Sequence, residues 1–182
     1  TNGTAVADLI IDTTGAPFLN AGAGDDIMLA AGAGTANFYG EAGDDVLIGG
    51  GGDQLYGGDG DDTVVVDNLH FSYLLDGGAD DDRLILDIES AWPGLPEAVS
   101  STKISNFEKI ELGPESDIAF SASAAEVDNI TGLPAGTGLL TLFGDSGDTL
   151  ALSDGVDWSV DAPNSTGGFT SYLHTSGTQI LA

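Results

Sequence analysis

Gly40-Glu-Ala-Gly-Asp-Asp-Val-Leu-Ile48, Gly49-Gly-Gly-Gly-Asp-Gln-Leu-Tyr56 and Gly57-Gly-Asp-Gly-Asp-Asp-Thr-Val-Val65 are consecutive versions of one unit. Each has a Gly/Asp-rich half of about six residues and an apolar half of about three. The form is G-G-x-G-x-D-x-U-x, with U a large apolar residue, and Gly57–Val65 fits it at every defined position. Glycine permits the φ > 0 turns of the loop half, and x-U-x reads as a very short strand. The U positions continue in phase on the N-terminal side. They fall at Ile10, Leu19, Met28, Phe38, Leu47, Leu55 and Val64, with spacings of 9, 9, 10, 9, 8 and 9. Leu84 belongs to a further unit, Gly77–Ile85, beyond an irregular insertion around Asp67–Asp76. Tyr73, nine residues after Val64, is expected to fill the intervening position.

The rest of the composition sets strict bounds. A chain of 182 residues holds one or two domains. Its net charge is −27, from 3 basic against 30 acidic residues, and Thr1–Asp82 has 16 acidic residues with no Lys or Arg. Nucleic acid and anionic lipid both need the opposite sign, so neither is an expected partner. A disordered acidic tail would have this charge, but not a hydrophobic content of 41% with its apolar residues in phase. The carboxylates therefore need a neutralising partner. With no Cys there is neither a disulfide nor a thiolate site, which leaves a metal bound through oxygen as the staple. No apolar run reaches the roughly 18 residues of a membrane span, and no basic-then-apolar leader opens the chain. A start already in repeat pattern at Thr1 is expected of a piece of something longer.

These units resemble the repeats-in-toxin (RTX) family of secreted bacterial proteins. The resemblance implies an all-β fold, a parallel β-roll in which two units make one coil and alternate units stack about 4.8 Å apart. One wall would carry Ile10, Met28, Leu47 and Val64, and the other Leu19, Phe38, Leu55 and Tyr73. The same alternation sorts the sixth loop position. Odd units carry Asp8, Asp26, Asp45 and Asp62, continued by Asp82, whereas even units carry Pro17, Ala36 and only then Asp53. One edge is thus expected to be a ladder of aspartates and the other to be degenerate. Carboxylates about 5 Å apart repel by roughly 1 kcal/mol in water and by about 3–4 at an effective dielectric of 20, so such a ladder stacks only with cations between its rungs.

Aspartate oxygens with the carbonyls of glycine-rich turns suit Ca2+, and the family implies the same ion. The expected metal residues are Asp8, Gly22, Gly24, Asp26, Gly40, Gly43, Asp45, Gly57, Gly60, Asp62, Asp80 and Asp82, with Asp53 a weaker candidate. The intervals are Asp8–Asp26, Asp26–Asp45, Asp45–Asp62 and Asp62–Asp82. The first is the least regular, because Val6 stands where the fourth-position glycine belongs.

After Leu86 glycine thins and the three basic residues, Arg83, Lys103 and Lys109, cluster nearby. Residues 1–88 are expected to be the roll and 89–182 a β-rich C-terminal cap. Ala91–Ser101, with Pro93 and Pro96, reads as a loop. Period-two runs predict strands at Lys103–Leu112, Ile118–Ser121, Gly138–Phe143, Asp148–Leu152, Trp158–Val160, Phe169–His174 and Thr178–Leu181. A helix is expected only around Ser121–Asn129. The runs Asn106–Leu112, Leu142–Leu152 and Phe169–Leu181, with Trp158, resemble the C-terminal regions of large RTX adhesins exported by type I secretion. That likeness implies an extracellular or cell-surface setting and the secretion machinery as a transient partner.

Catalytic constellations are missing from the pattern. Gly144-Asp-Ser-Gly-Asp148 is similar to a serine-protease motif, but only His70 and His174 could act as base, and a turn between strands accounts for it better. There is no His-Glu-x-x-His and no EF-hand spacing. Lone aromatics such as Trp92 and Trp158 are more often core than sugar platforms. The expected function is a monomeric, non-enzymatic calcium-binding module that folds after export. The alternative is a polysaccharide-binding β-roll attached to a secreted enzyme.

Overall fold

The computed structural model describes residues 3–31, 34–49, 52–66, 74–87, 103–113, 118–146, 148–153, 157–160 and 171–182. Short strands alternate between two walls. One wall takes β1 (Leu9–Asp12), β3 (Ile27–Ala30), β5 (Val46–Gly49), β7 (Thr63–Val66) and β9 (Arg83–Leu86). The other takes β2 (Phe18–Ala23), β4 (Asn37–Ala42), β6 (Gln54–Asp59) and β8 (Leu74–Ala79). All neighbours in these stacks are parallel, with Ile10, Met28, Leu47, Val64 and Leu84 in register on one side. Leu19, Phe38, Leu55 and Leu75 are in register on the other. This is the parallel β-roll that the resemblance implied.

The core follows from strand alternation. In β5, β7 and β9 the second and fourth residues are buried and the others half-exposed. Each buried leucine side chain contributes about 1.5–3 kcal/mol, and stacking in register places each on another large apolar residue, Leu47 between Met28 and Val64 for example. The position expected for Tyr73 belongs instead to Leu75, which is fully buried opposite Leu55. The insertion before β8 adds two residues to the nine-residue count, and Tyr73 itself lies outside the described residues.

Both walls continue past residue 88. β10 (Ile104–Ser105) adds to β8, and β11 (Lys109–Leu112) adds to β9. Next, β12 (Ala119–Ala122) pairs separately with β14 (Thr149–Leu152), while β13 (Leu139–Phe143) stacks on β11. The large wall ends in an antiparallel turn-back through β17 (Gln179–Leu181), β16 (Ser171–His174) and the short edge strand β15 (Trp158–Val160). Short antiparallel strands at this end leave no long parallel edge to template further stacking. The loop expected at Ala91–Ser101 lies outside the described residues.

The helix expected around Ser121–Asn129 is α1 (Ala124–Ile130). Ser123 and Glu126 form a reciprocal capping box that starts it at Ala124, while Ser121 and Ala122 pair with β14. Its end covers the small wall, where Phe107 N–H donates to Ile130 O at 2.8 Å. Buried Asp128 ties α1 to the turn-back by accepting from Gly136 N, Gly138 N and Thr178 Oγ1 at 2.7, 2.9 and 2.9 Å. No helix among the described residues is long and apolar enough to cross a membrane.

Candidate metal centre

Every loop from the small wall to the large wall ends in an acid placed just before the next strand. These acids stack along one edge of the roll. Asp8 N–H donates to Asp26 Oδ1 at 2.5 Å, Asp26 N–H to Asp45 Oδ1 at 2.7 Å, Asp45 N–H to Asp62 Oδ1 at 2.8 Å, and Asp62 N–H to Asp82 Oδ1 at 2.8 Å. The loops reach this geometry through left-handed residues at their second and fourth positions. Gly58 and Gly60, at φ 132° and 128°, illustrate this; a Cβ on Gly60 would meet Gly43 O at 2.4 Å. Asp80 takes the fourth position of its own loop at φ 83°, a conformation aspartate tolerates. Its exposed side chain stands outside the ladder.

The second carboxylate oxygen distinguishes the rungs. Oδ2 of Asp26, Asp45, Asp62 and Asp82 is buried with no hydrogen-bond partner. Each of these residues is 1% exposed or less. Leaving an ionised oxygen in that state is costly unless a cation or proton meets it. The carboxyls respond accordingly: burial, reinforced by neighbouring aspartates, pushes Asp45 up to about 6 and Asp62 and Asp82 up to about 7. The bonds from the preceding backbone N–H groups oppose that rise without cancelling it.

Glycine makes room beside these oxygens. A Cβ at Gly40 would sit 2.3 Å from Asp45 Oδ2 and 2.4 Å from Gly57 O. At Gly57 it would sit 2.2 Å from both Asp62 Oδ2 and Gly77 O. Carboxylate and carbonyl oxygens of adjacent coils thus converge where only hydrogen fits. Among the described residues no three His, Cys, Asp or Glu side chains converge on one point. An ion held here therefore takes main-chain carbonyls beside its carboxylates, the oxygen set suited to Ca2+. The donor set and the orphaned oxygens fit that ion.

Not every expected residue joins this arrangement. Asp8 Oδ2 already accepts from Thr4 N and Thr4 Oγ1 at 2.6 and 2.8 Å. Asp53 repeats the ladder contact on the opposite edge, accepting from Ala36 N at 2.8 Å, but Ala36 and Pro17 supply no carboxylate to continue it. Gly22 and Gly24 hold the second and fourth loop positions below Asp26, at φ 110° and 111°, and Gly43 the fourth position below Asp45, at φ 128°.

Two further features were not anticipated. An outer ladder runs through the fifth loop position with the opposite sense. Asp44 N–H donates to Asp25 Oδ1, Asp61 N–H to Asp44 Oδ1 and Asp81 N–H to Asp61 Oδ1, at 3.1, 3.0 and 3.0 Å. Its sign in the sequence is the Asp-Asp doublet at Asp25–Asp26, Asp44–Asp45, Asp61–Asp62 and Asp81–Asp82. At the cap end, Lys109 Nζ closes this outer ladder on Asp81 Oδ2 at 2.5 Å. Glu108 meanwhile extends the inner one, accepting from Asp82 N at 2.9 Å.

A family model described as the RTX calcium-binding nonapeptide repeat matches the chain in four copies, over residues 2–32, 30–64 and 51–68. No curated protein matches the chain. No solved structure matches it either.

Proposed function

Residues 2–68 form an RTX calcium-binding repeat region, and from that premise we propose that the whole chain is a folding module gated by calcium and belonging to an exported adhesin. The observation that carries this reading is the row of buried, unpartnered oxygens on Asp26, Asp45, Asp62 and Asp82. Without a divalent ion these rungs repel one another and the coil opens. With Ca2+ between them the repulsion becomes attraction and the stack closes. Metal binding and folding are then one reaction.

The chemistry assigns the parts. Asp26, Asp45, Asp62 and Asp82 supply carboxylates, and the glycine-rich loops from Gly40 and Gly57 supply carbonyls. The turn-back strands and α1 close the far end of both walls. At the low free calcium of a cytoplasm the chain stays extended, as passage through a type I channel requires. Outside, calcium at about 10⁻⁴–10⁻³ M, the affinity range of extracellular modules, folds it. No nucleophile–base pair takes part, and the role is structural rather than enzymatic.

A titration tests this. Far-UV circular dichroism of the full chain in EGTA should show coil, converting cooperatively to β structure on addition of millimolar calcium. Equal β content in both conditions would remove the proposal. A reporter fused ahead of Leu112–Ala182 should leave a cell that carries a type I exporter, and its retention would sink the export role.

One observation bears against a glycan-binding reading. Tyr39 and Tyr56 stack with centroids 4.8 Å apart and planes 3° apart. They are neighbours in register in the small wall, and the stacking uses ring faces that a sugar would need. Retention on immobilised polysaccharide, lost in Tyr39→Ala, would bring that reading forward.

A further inference from the structure

We infer that the ion ladder extends one interval beyond the glycine-rich repeats, with a calcium site between Asp82 and the truncated turn Asn106–Glu108. The inference rests on the calcium-gated reading above and adds a site with no G-x-G-x-D loop on its upper side. In each regular interval a rung's Oδ1 faces the preceding coil and its Oδ2 faces the following one. Asp45 Oδ2 and Asp62 Oδ2 share their space with the first carbonyl of the next loop, Gly57 O and Gly77 O.

Asp82 repeats this arrangement. Its Oδ1 is taken by Asp62 N–H, while its Oδ2 is buried, unpartnered and directed at the next turn. A Cβ on Gly77 would lie 2.6 Å from that oxygen and 1.9 Å from Asn106 O. The Asn106 carbonyl therefore stands where Gly77 O stands one coil below. Glu108 provides the next acid in the series, bonded to Asp82 N–H as each aspartate is to the rung below it.

The opposite end shows what a closed interval looks like. There Asp8 Oδ2 is bonded by Thr4 and asks for nothing more. Nothing comparable reaches Asp82 Oδ2. The nearby cation, Lys109, is spent on Asp81 in the outer ladder. Two carboxylates, one carbonyl from the cap and the carbonyls of the Gly77–Asp82 loop form an oxygen set for a hard divalent ion, with fewer loop carbonyls than the regular intervals. The site would tie the roll to its cap through the metal itself.

Native mass spectrometry of the full chain in calcium, with far-UV circular dichroism as a fold check, tests this. Glu108→Gln keeps an acceptor for Asp82 N–H but removes the charge. It should bind one ion fewer than wild type at matched β content, or bind its last ion at least 10-fold more weakly. Glu111→Gln removes the same charge three residues further on, in β11 at the Arg83 ion pair, and should keep the wild-type count. Equal counts and midpoints for wild type and Glu108→Gln would overturn the terminal site while leaving the calcium-gated reading intact. A wild type that binds no calcium would overturn both. Should Glu108→Gln fail to fold, anomalous scattering from calcium in wild-type crystals decides. A peak between Asp82 and Asn106 supports the site, and its absence with peaks at lower rungs overturns it.

Discussion

Replacing Asp62 by Asn should change the sign of its effect with calcium. Asp62 is 1% exposed, donates through its N–H to Asp82, accepts from Asp45 N–H and leaves Oδ2 without a partner. Its carboxyl is pushed from 3.8 to about 7, mainly by burial. A carboxyl raised on folding gives stability that is complete below its unfolded value and lost as pH rises through its folded value. At pH 8 without metal, the ionised form therefore costs the fold up to about 4 kcal/mol. Water reaching the loop screens part of this, so about 2 kcal/mol is the expected gain from Asp62→Asn in chelator. Asn keeps the acceptor for Asp45 N–H. In calcium the same change removes a charged ligand and should raise the folding midpoint about 10-fold or more, equivalent to at least 1.4 kcal/mol. The assay is circular dichroism along two axes, pH 4–8 in EGTA and calcium at pH 8. Wild type in EGTA should gain β structure as pH falls through 7 to 5, and the variant should gain it at higher pH. An unchanged pH profile together with an unchanged or lower calcium midpoint would refute the reasoning.

Other expectations follow from neighbouring features. Gly60→Ala places a methyl 2.4 Å from the Gly43 carbonyl at a left-handed residue, and should lower stability in saturating calcium by about 2–3 kcal/mol in a denaturant melt. Gly49→Ala, on the opposite edge and against side-chain atoms at 3.0 Å or more, should cost clearly less in that melt. Asp128→Ala removes the acceptor for Gly136, Gly138 and Thr178 and should cost about 2–4 kcal/mol with no change in calcium stoichiometry by calorimetry; a lost ion would contradict its purely structural role. Deleting everything after Asp87 exposes the buried edge at Leu84 and Leu86, and should leave the roll unfolded or aggregating at calcium levels that fold the full chain. An unchanged calcium midpoint in that truncation would deny the cap a part in folding.

The sequence discloses what depends on a local period. Each U residue from Ile10 to Val64 lies on the wall its parity assigns, because successive units alternate sides of one coil. Where the count changes, the period misleads. The insertion before β8 puts Leu75, not Tyr73, opposite Leu55. Glu108 was hidden for a related reason. Its unit lost the glycine-rich loop and kept only the acid followed by Lys109-Ile-Glu, so it reads as an ordinary strand. The outer ladder was visible as Asp-Asp doublets, but the register that makes them a ladder appears only when coils are stacked. Asp128 gave no local sign, since its partners Gly136, Gly138 and Thr178 lie 8, 10 and 50 residues away. The start of α1, by contrast, is written in the spacing of Ser123 and Glu126.

The two edges of the roll also differ in how they keep length. Successive rungs of the inner ladder are separated by 18, 19, 17 and 20 residues, yet their hydrogen bonds stay within 2.5–2.8 Å. The loops at 21–26, 40–45, 57–62 and 77–82 do not vary. All of the variation falls in the connections at 13–17, 31–36, 50–53 and 67–73. The molecule is built like a sewn book, with a bound spine and a fore-edge whose pages are cut unevenly. Sequence can be added or lost in these connections while the inner rungs keep their hydrogen bonds, as the differing spacings already show, so an inserted peptide there should leave the ladder's pairing intact. One residue added at the spine would instead put every later page out of register.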